Sequence, residues 1–278
     1  MTGLRCGALL FLLGTPTQDR GADYPAFSAG QSDLVFQKEA PLSTDAELRR
    51  RFGTPNTPPS YDVAKEKFRV VAPRSYKHAD AWGLFVWIDA SPQPVVPSDW
   101  GPILAEKRLL LVAAHGSGNS RSLFDRCRLA VDAVHNMKQR FHIDPGRVYI
   151  SGHSGGGRVA SMLGVAYADV FTGAFPMVGV NFYKPVPAGE PNRAWLPVYH
   201  PEPRVLASAK AANRYVLLTG EKDFNRENTL RVYSDGFQAE GFRHVLYLEV
   251  PGMGHARPSA EWFAKGLEFL DAGTPPGE

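Results

Sequence analysis

Apolar residues fall in two rhythms along the chain. Short runs rich in β-branched and aromatic residues read as buried strands: Phe68 to Ala72, Gly83 to Ile88, Arg108 to Ala114, Arg147 to Ser151, Ala174 to Val180, Arg214 to Gly220 and His244 to Val250. Between them the spacing changes to alternating steps of four and three. Leu123, Cys127, Ala130, Val134, Met137 and Phe141 form one apolar stripe, which predicts an amphipathic helix. Arg126, Arg128, Asp132, His135 and Lys138 fall off that stripe and are expected to face solvent. Leu230, Tyr233 and Phe237 repeat the helical spacing between the last two strands, and Arg158 to Leu163 reads as a further helix. Strands alternating with helices in this way predict the α/β class.

One junction between the rhythms carries chemistry. Gly152-His153-Ser154-Gly155-Gly156-Gly157 lies between a predicted strand and a predicted helix. G-x-S-x-G at such a turn lifts a serine hydroxyl off the sheet, and the following N–H lies at a helix N-terminus, where developing negative charge is stabilised. Serine is a weak nucleophile at neutral pH, so it needs a base and a group that orients the base. Two strands end in candidates. Arg214 to Gly220 leads into Glu221-Lys222-Asp223, and His244 to Val250 leads into Pro251-Gly252-Met253-Gly254-His255. Both lie at the C-terminal ends of strands, the edge on which open α/β sheets place their sites. Asp223 would hold the imidazole of His255, and His255 would take the proton of Ser154. Glu221 competes with Asp223 for the acid's role, but Asp223 stands at the better distance past its strand, and it could also cap the next helix.

With these pieces in hand, residues 60–272 resemble an α/β-hydrolase of the esterase group that includes polyhydroxybutyrate depolymerases and feruloyl esterases. The matching stretches run from Asp144 to Gly156, from Thr219 to Asp223 and from Pro251 to His255. The resemblance implies the α/β-hydrolase fold, with a mostly parallel central sheet and helices on both faces. It also implies ester hydrolysis through an acyl-enzyme, with Ser154, Asp223 and His255 as the triad and no cofactor or metal. It implies no particular ester.

Many relatives carry a His-Gly pair after the third strand, where the oxyanion-hole loop begins; this chain does not. Counting strands back from the serine, the loop after 83–88 should supply the second oxyanion N–H, beside that of Gly155. That loop reads Asp89-Ala90-Ser91-Pro92, and since proline has no N–H the candidates are Ala90 and Ser91. Asp89 reads as a turn former. The His115-Gly116 pair comes one strand later and is expected at most to line the pocket. His153, Phe182, Trp195 and Met253 are further candidates for contact with substrate.

Composition narrows the class. Of 278 residues, 44% are hydrophobic and 21% charged, which suits a globular domain, and 31 Lys and Arg against 28 Asp and Glu leave no basic excess for nucleic acid. No apolar run approaches the ~20 residues of a membrane span. Cys127 lies on the helix stripe and reads as core, and the only other cysteine is Cys6, so no metal site is expected. Residues 1–22 carry a thin positive start and a short apolar run that resemble a secretory leader, so a periplasmic or secreted protein is expected, with a cytoplasmic one as the alternative. Residues 23–60 are expected to wrap the core as irregular chain, 61–272 to form the catalytic domain with a short cap or insert at 181–212, and 273–278 to be a tail. The expected partner is a small or oligomeric ester. A thioesterase, another acyl hydrolase on the same triad, and a hydrolase-fold protein that binds without turnover are the alternatives.

Overall fold

The computed structural model describes residues 30–55 and 61–272, so the leader-like segment, Cys6 and the expected tail lie outside the described residues. Its strands are β1 (Gly30–Val35), β2 (Lys67–Ala72), β3 (Trp82–Ile88), β4 (Leu109–Ala114), β5 (Ile143–His153), β6 (Gly173–Met177), the two-residue pair β7 (Val186–Pro187) and β8 (Ala194–Trp195), β9 (Arg214–Gly220) and β10 (His244–Val250). Its α-helices are α1 (Asp45–Phe52), α2 (Trp100–Glu106), α3 (Leu123–Arg140), α4 (Gly155–Ala166), α5 (Pro203–Ala211), α6 (Arg226–Arg231) and α7 (Ala260–Asp271). A π-helical stretch over Val232–Gln238 continues α6.

Eight strands form one sheet in the order β1-β2-β4-β3-β5-β6-β9-β10. Only β2 runs against its neighbours; the pairs from β4 to β10 are parallel. The inner strands are continuously apolar because helices cover both faces. On β3, Leu84, Val86 and Ile88 point into the core shared with α3 and α4, while Phe85 and Trp87 point into a second core with Trp100 of α2 and Phe263 of α7. Trp100 stacks on Phe263 at 4.0 Å, so α2 and α7 meet through aromatic rings on that face.

Three expectations are corrected. Residues 23–60 are not wholly irregular, since residues 30–35 form an edge strand on β2 and residues 45–52 form α1. That segment also buries the outer face of α3. Asp132 accepts hydrogen bonds from Ala40 N (2.6 Å), Ser43 Oγ (2.6 Å) and Tyr61 OH (2.8 Å). Asn136 donates to Lys38 O, and Arg128 pairs with Asp45. Arg128 and Asp132 are therefore buried instead of facing solvent, and Arg126 is buried elsewhere, donating to Ser117 O and Asp89 O in the loops after β4 and β3, while Leu123, the first residue of the stripe, is exposed. Lastly, β6 ends at Met177 rather than Val180, because Val178 takes a positive φ of 51° and turns the chain.

The thiol of Cys127 is fully buried, and its pKa is pushed up to about 12 by that burial, in keeping with a core residue. The 181–212 segment carries the small β7–β8 ladder and then α5. Among the described residues, no helix is long and apolar enough to cross a membrane.

Candidate active site

β5 ends at His153 and α4 begins at Gly155, which leaves Ser154 alone at the turn with φ 57° and ψ −116°. A non-glycine residue holds such a φ only where its surroundings dictate it. Here Ser154 N donates to Met177 O (2.9 Å) and Ser154 O accepts from Arg158 N (3.1 Å). The close approach also requires Gly156, since a Cβ at that position would collide with Ile88 O at the end of β3.

Strand ends bring the other two groups to this hydroxyl. Ser154 Oγ lies 2.8 Å from His255 Nε2, and His255 Nδ1 lies 2.8 Å from Asp223 Oδ1. The Asp223 side chain is fully buried and also accepts from Thr219 Oγ1 (2.9 Å) and Asn225 N (3.1 Å). A carboxylate facing Nδ1 places the ring proton there, leaving the lone pair of Nε2 turned to the serine. Glu221, the competing acid, points elsewhere and accepts from Gly252 N (2.7 Å).

Several neighbours hold this line in place. Arg158 of α4 donates to Val180 O, Asn181 Oδ1 and Asn225 Oδ1, and Asn225 Nδ2 donates to Val178 O. The loop after β6 is thereby tied to the loop that carries Asp223. The Phe224 ring, 79% exposed, stacks on His255 at 4.2 Å and covers one face of the imidazole. His153 packs beside His255 with ring centroids 5.3 Å apart, and its pKa is pushed down to about 4 by burial first and then by the charges of Arg257 and His255.

The loop after β3 corrects one expectation. Ser91 N donates to Asp89 Oδ1 (3.0 Å), so this N–H is already committed and Ser91 is not an oxyanion donor. Among the described residues the N–H of Ala90 carries no such bond, and its carbonyl accepts from Asn119 N (2.9 Å). Asp89 is more than a turn former. Its buried carboxylate also accepts from Val95 N and from Arg257 Nη2, at 2.9 and 2.8 Å to its two oxygens. Burial works to raise its pKa, but these hydrogen bonds and the guanidinium outweigh burial and hold the carboxyl below its ordinary value.

The remaining candidates separate. His115 turns toward β1, with Nδ1 2.8 Å from Gln93 Oε1 and Nε2 3.2 Å from Asp33 Oδ1. Phe182 and Trp195 line a cavity of about 110 Å³ with Arg158, Asn228 and Leu196. Phe182 itself sits in an aromatic cluster with Phe237 and Tyr183. Met253 packs against the core under α7, and its carbonyl accepts from Lys222 N (2.9 Å). The supporting residues Arg158, Phe224, Asn225 and Arg257 were not read as site residues in the sequence, although all four lie within four residues of Ser154, Asp223 or His255.

No protein-family model matches the sequence. A 46-residue stretch, 16% of the chain, is 46% identical to poly(3-hydroxyalkanoate) depolymerase C of Paucimonas lemoignei, and it spans only 11% of that protein. Among solved structures, the feruloyl esterase module from Clostridium thermocellum superposes with a TM-score of 0.58 at 12% identity, over 77% of this chain and 86% of that one. Esterase 2 of Thermogutta terrifontis, phosphonylated by sarin, gives 0.56 at 17% identity, over 90% and 96% of the two chains. A putative dipeptidyl aminopeptidase IV from Bacteroides ovatus gives 0.51 at 12% identity, and the chain covers a third of it (33%). Strand order, the lone reversed strand β2, and these superpositions agree: the chain has the α/β-hydrolase fold.

Proposed function

We propose that the protein is a serine carboxylic-ester hydrolase that works through an acyl-enzyme. The observation that carries this reading is the unbroken hydrogen-bonded line from Ser154 Oγ through His255 to the buried carboxylate of Asp223. In the first half-reaction the Ser154 oxygen bonds to the ester carbon while its proton passes to His255 Nε2. The carbonyl π pair moves to oxygen and is met by the N–H groups of Gly155 and Ala90. His255 then protonates the leaving alcohol as the C–O bond breaks. In the second half a water gives a proton to His255 as it attacks the acyl carbon, and the Ser154 Oγ–acyl bond then breaks as His255 returns that proton to Ser154 Oγ, which releases the acid. Asp223 stays ionised and stabilises the imidazolium.

The fold also hosts peptidases, so the triad alone does not select an ester. The esterases among the structural neighbours and the short likeness to a polyester depolymerase favour a small or oligomeric ester. The test is hydrolysis of p-nitrophenyl esters from acetate to palmitate, with Ser154→Ala run alongside and Ser154 labelled by a fluorophosphonate. Release that depends on Ser154 is expected, with the variant at background rate and an unchanged melting temperature. A variant that kept most of the activity would remove Ser154 as nucleophile.

A further inference from the structure

We infer that Asn119 is a further catalytic residue of the esterase proposed above, its carboxamide N–H donating to the substrate carbonyl oxygen as that oxygen becomes negative. The inference rests on that reading of the site. With the N–H of Ser91 committed to Asp89, Ala90 is left of the two N–H candidates that the sequence offered in the loop after β3. The loop after β4 lies against it and brings another donor.

Two backbone hydrogen bonds join these loops, Gly116 N to Pro92 O at 2.7 Å and Asn119 N to Ala90 O at 2.9 Å. Gly118 backs directly on the Ser91–Pro92 peptide; a Cβ there would stand 2.7 Å from Pro92 N. The loop is thus fixed in register with Ala90, and the Asn119 side chain emerges over the nucleophile turn. A Cβ on Gly155 would overlap Asn119 Oδ1 and would lie 2.7 Å from Cγ and 3.0 Å from Nδ2. The carboxamide therefore covers the α-carbon of the residue whose N–H is the first oxyanion donor. Asn119 is exposed, and among the described residues its carboxamide has no hydrogen-bond partner. An amide has two N–H donors and turns readily about its last bond, so it can present either to an oxygen bound at Gly155.

No atom is transferred to or from Asn119. The proton of Ser154 goes to His255, the electron pair of the C=O bond goes to oxygen, and the carboxamide only donates a hydrogen bond to that oxygen. Such a donor acts more strongly on the tetrahedral intermediate than on the ground-state ester, so its loss shows in kcat.

The experiment compares the wild type with Asn119→Ala and Asn119→Asp on p-nitrophenyl butyrate, with kcat and KM resolved separately. It adds the inhibition constant of a trifluoromethyl ketone, which forms a tetrahedral adduct with the serine. Asn119→Ala is expected to lower kcat by about 10²-fold, the lower end of the range for losing one such donor. KM should stay within about threefold, and the ketone should bind more weakly by a similar factor to the loss in kcat. Asn119→Asp should be slower still, because an acceptor and a negative charge would face the oxyanion. The backbone bond to Ala90 survives in both variants, so the melting temperature should not move. A kcat for Asn119→Ala within threefold of wild type, or a rise in KM alone, would overturn the inference and leave the esterase reading standing. A wild type that neither hydrolyses these esters nor takes the fluorophosphonate label would overturn both.

Discussion

Asp223 and Glu221 sit two residues apart after the same strand, and the fold treats them differently. Asp223 is buried and accepts from Thr219, Asn225 and His255, while Glu221 is exposed and braces the turn at Gly252. Asp223→Asn should lower kcat by about 10⁴, because an amide in that place favours the wrong imidazole tautomer. Glu221→Gln should stay within a few-fold of wild type in the same assay, and the reverse order would move the acid to Glu221. His153 gives a stability prediction instead. Its imidazole is held neutral down to about pH 4, whereas a histidine in the unfolded chain titrates at about 6.5. Between those values the unfolded chain binds the proton and the folded chain does not. The contribution of this ring to stability is therefore whole above pH 6.5, falls as the pH drops toward 4, and levels off below. Screening at a partly exposed ring limits the effect to about 1–2 kcal/mol. Denaturant midpoints at pH 7 and pH 4.5 should show the wild type losing that much more than His153→Gln. Equal losses would mean that the ring is not kept neutral.

Among the elements, α3 separates what a pattern can tell from what it cannot. The stripe from Cys127 to Phe141 gave the helix and its sheet-facing side. Its other side looked solvated because Arg126, Arg128 and Asp132 are charged, yet the segment at residues 36–45 covers Arg128 and Asp132, and Arg126 turns to carbonyls in the loops after β3 and β4. Helical periodicity reports one buried face, and a second layer held by hydrogen bonds to a carboxylate leaves no apolar trace. Asp132→Ala would strand Ala40 N, Ser43 Oγ and Tyr61 OH and should cost about 2–4 kcal/mol of stability. The denaturant midpoint would register that cost, and kcat/KM should hold within threefold, since this face lies across α3 from the sheet. A large loss of kcat would mean that the segment also supports the site. The turn at Ser154 was legible for the opposite reason: strand, glycines, serine and helix are consecutive. Ser91 was misread because an acceptor two residues back, the carboxylate of Asp89, had captured its N–H. Asn119 was not legible at all, since its approach to Gly155 depends on β4 and β3 lying side by side.

At the scale of the molecule, the parallel sheet sets the ends of β3, β5, β9 and β10 along one edge, but neighbouring ends alone do not fix an imidazole to a tenth of a turn. The ion pair between Asp89 and Arg257 joins the loop after β3 to the loop after β10, two residues past His255. It closes a ring that runs from Asp89 through Arg257 and His255 to Ser154, then through the packing of Gly156 on Ile88 back to β3. The carboxylate is buried and takes two further N–H bonds, from Ser91 and Val95, so it cannot be released to water when its partner goes. Arg257→Met should consequently destabilise the fold by about 3–5 kcal/mol, the cost of a buried charge left unpaired. Asp89→Asn leaves the cation on a partly exposed side chain and should cost less. The double variant should be more stable than the sum of the two single losses requires, with a coupling measurable in a denaturant cycle. Activity should behave differently: both single variants and the double should lower kcat, because each frees the His255 loop from β3. Strict additivity in stability, together with full kcat in the double variant, would show that the ring has no part in setting the imidazole.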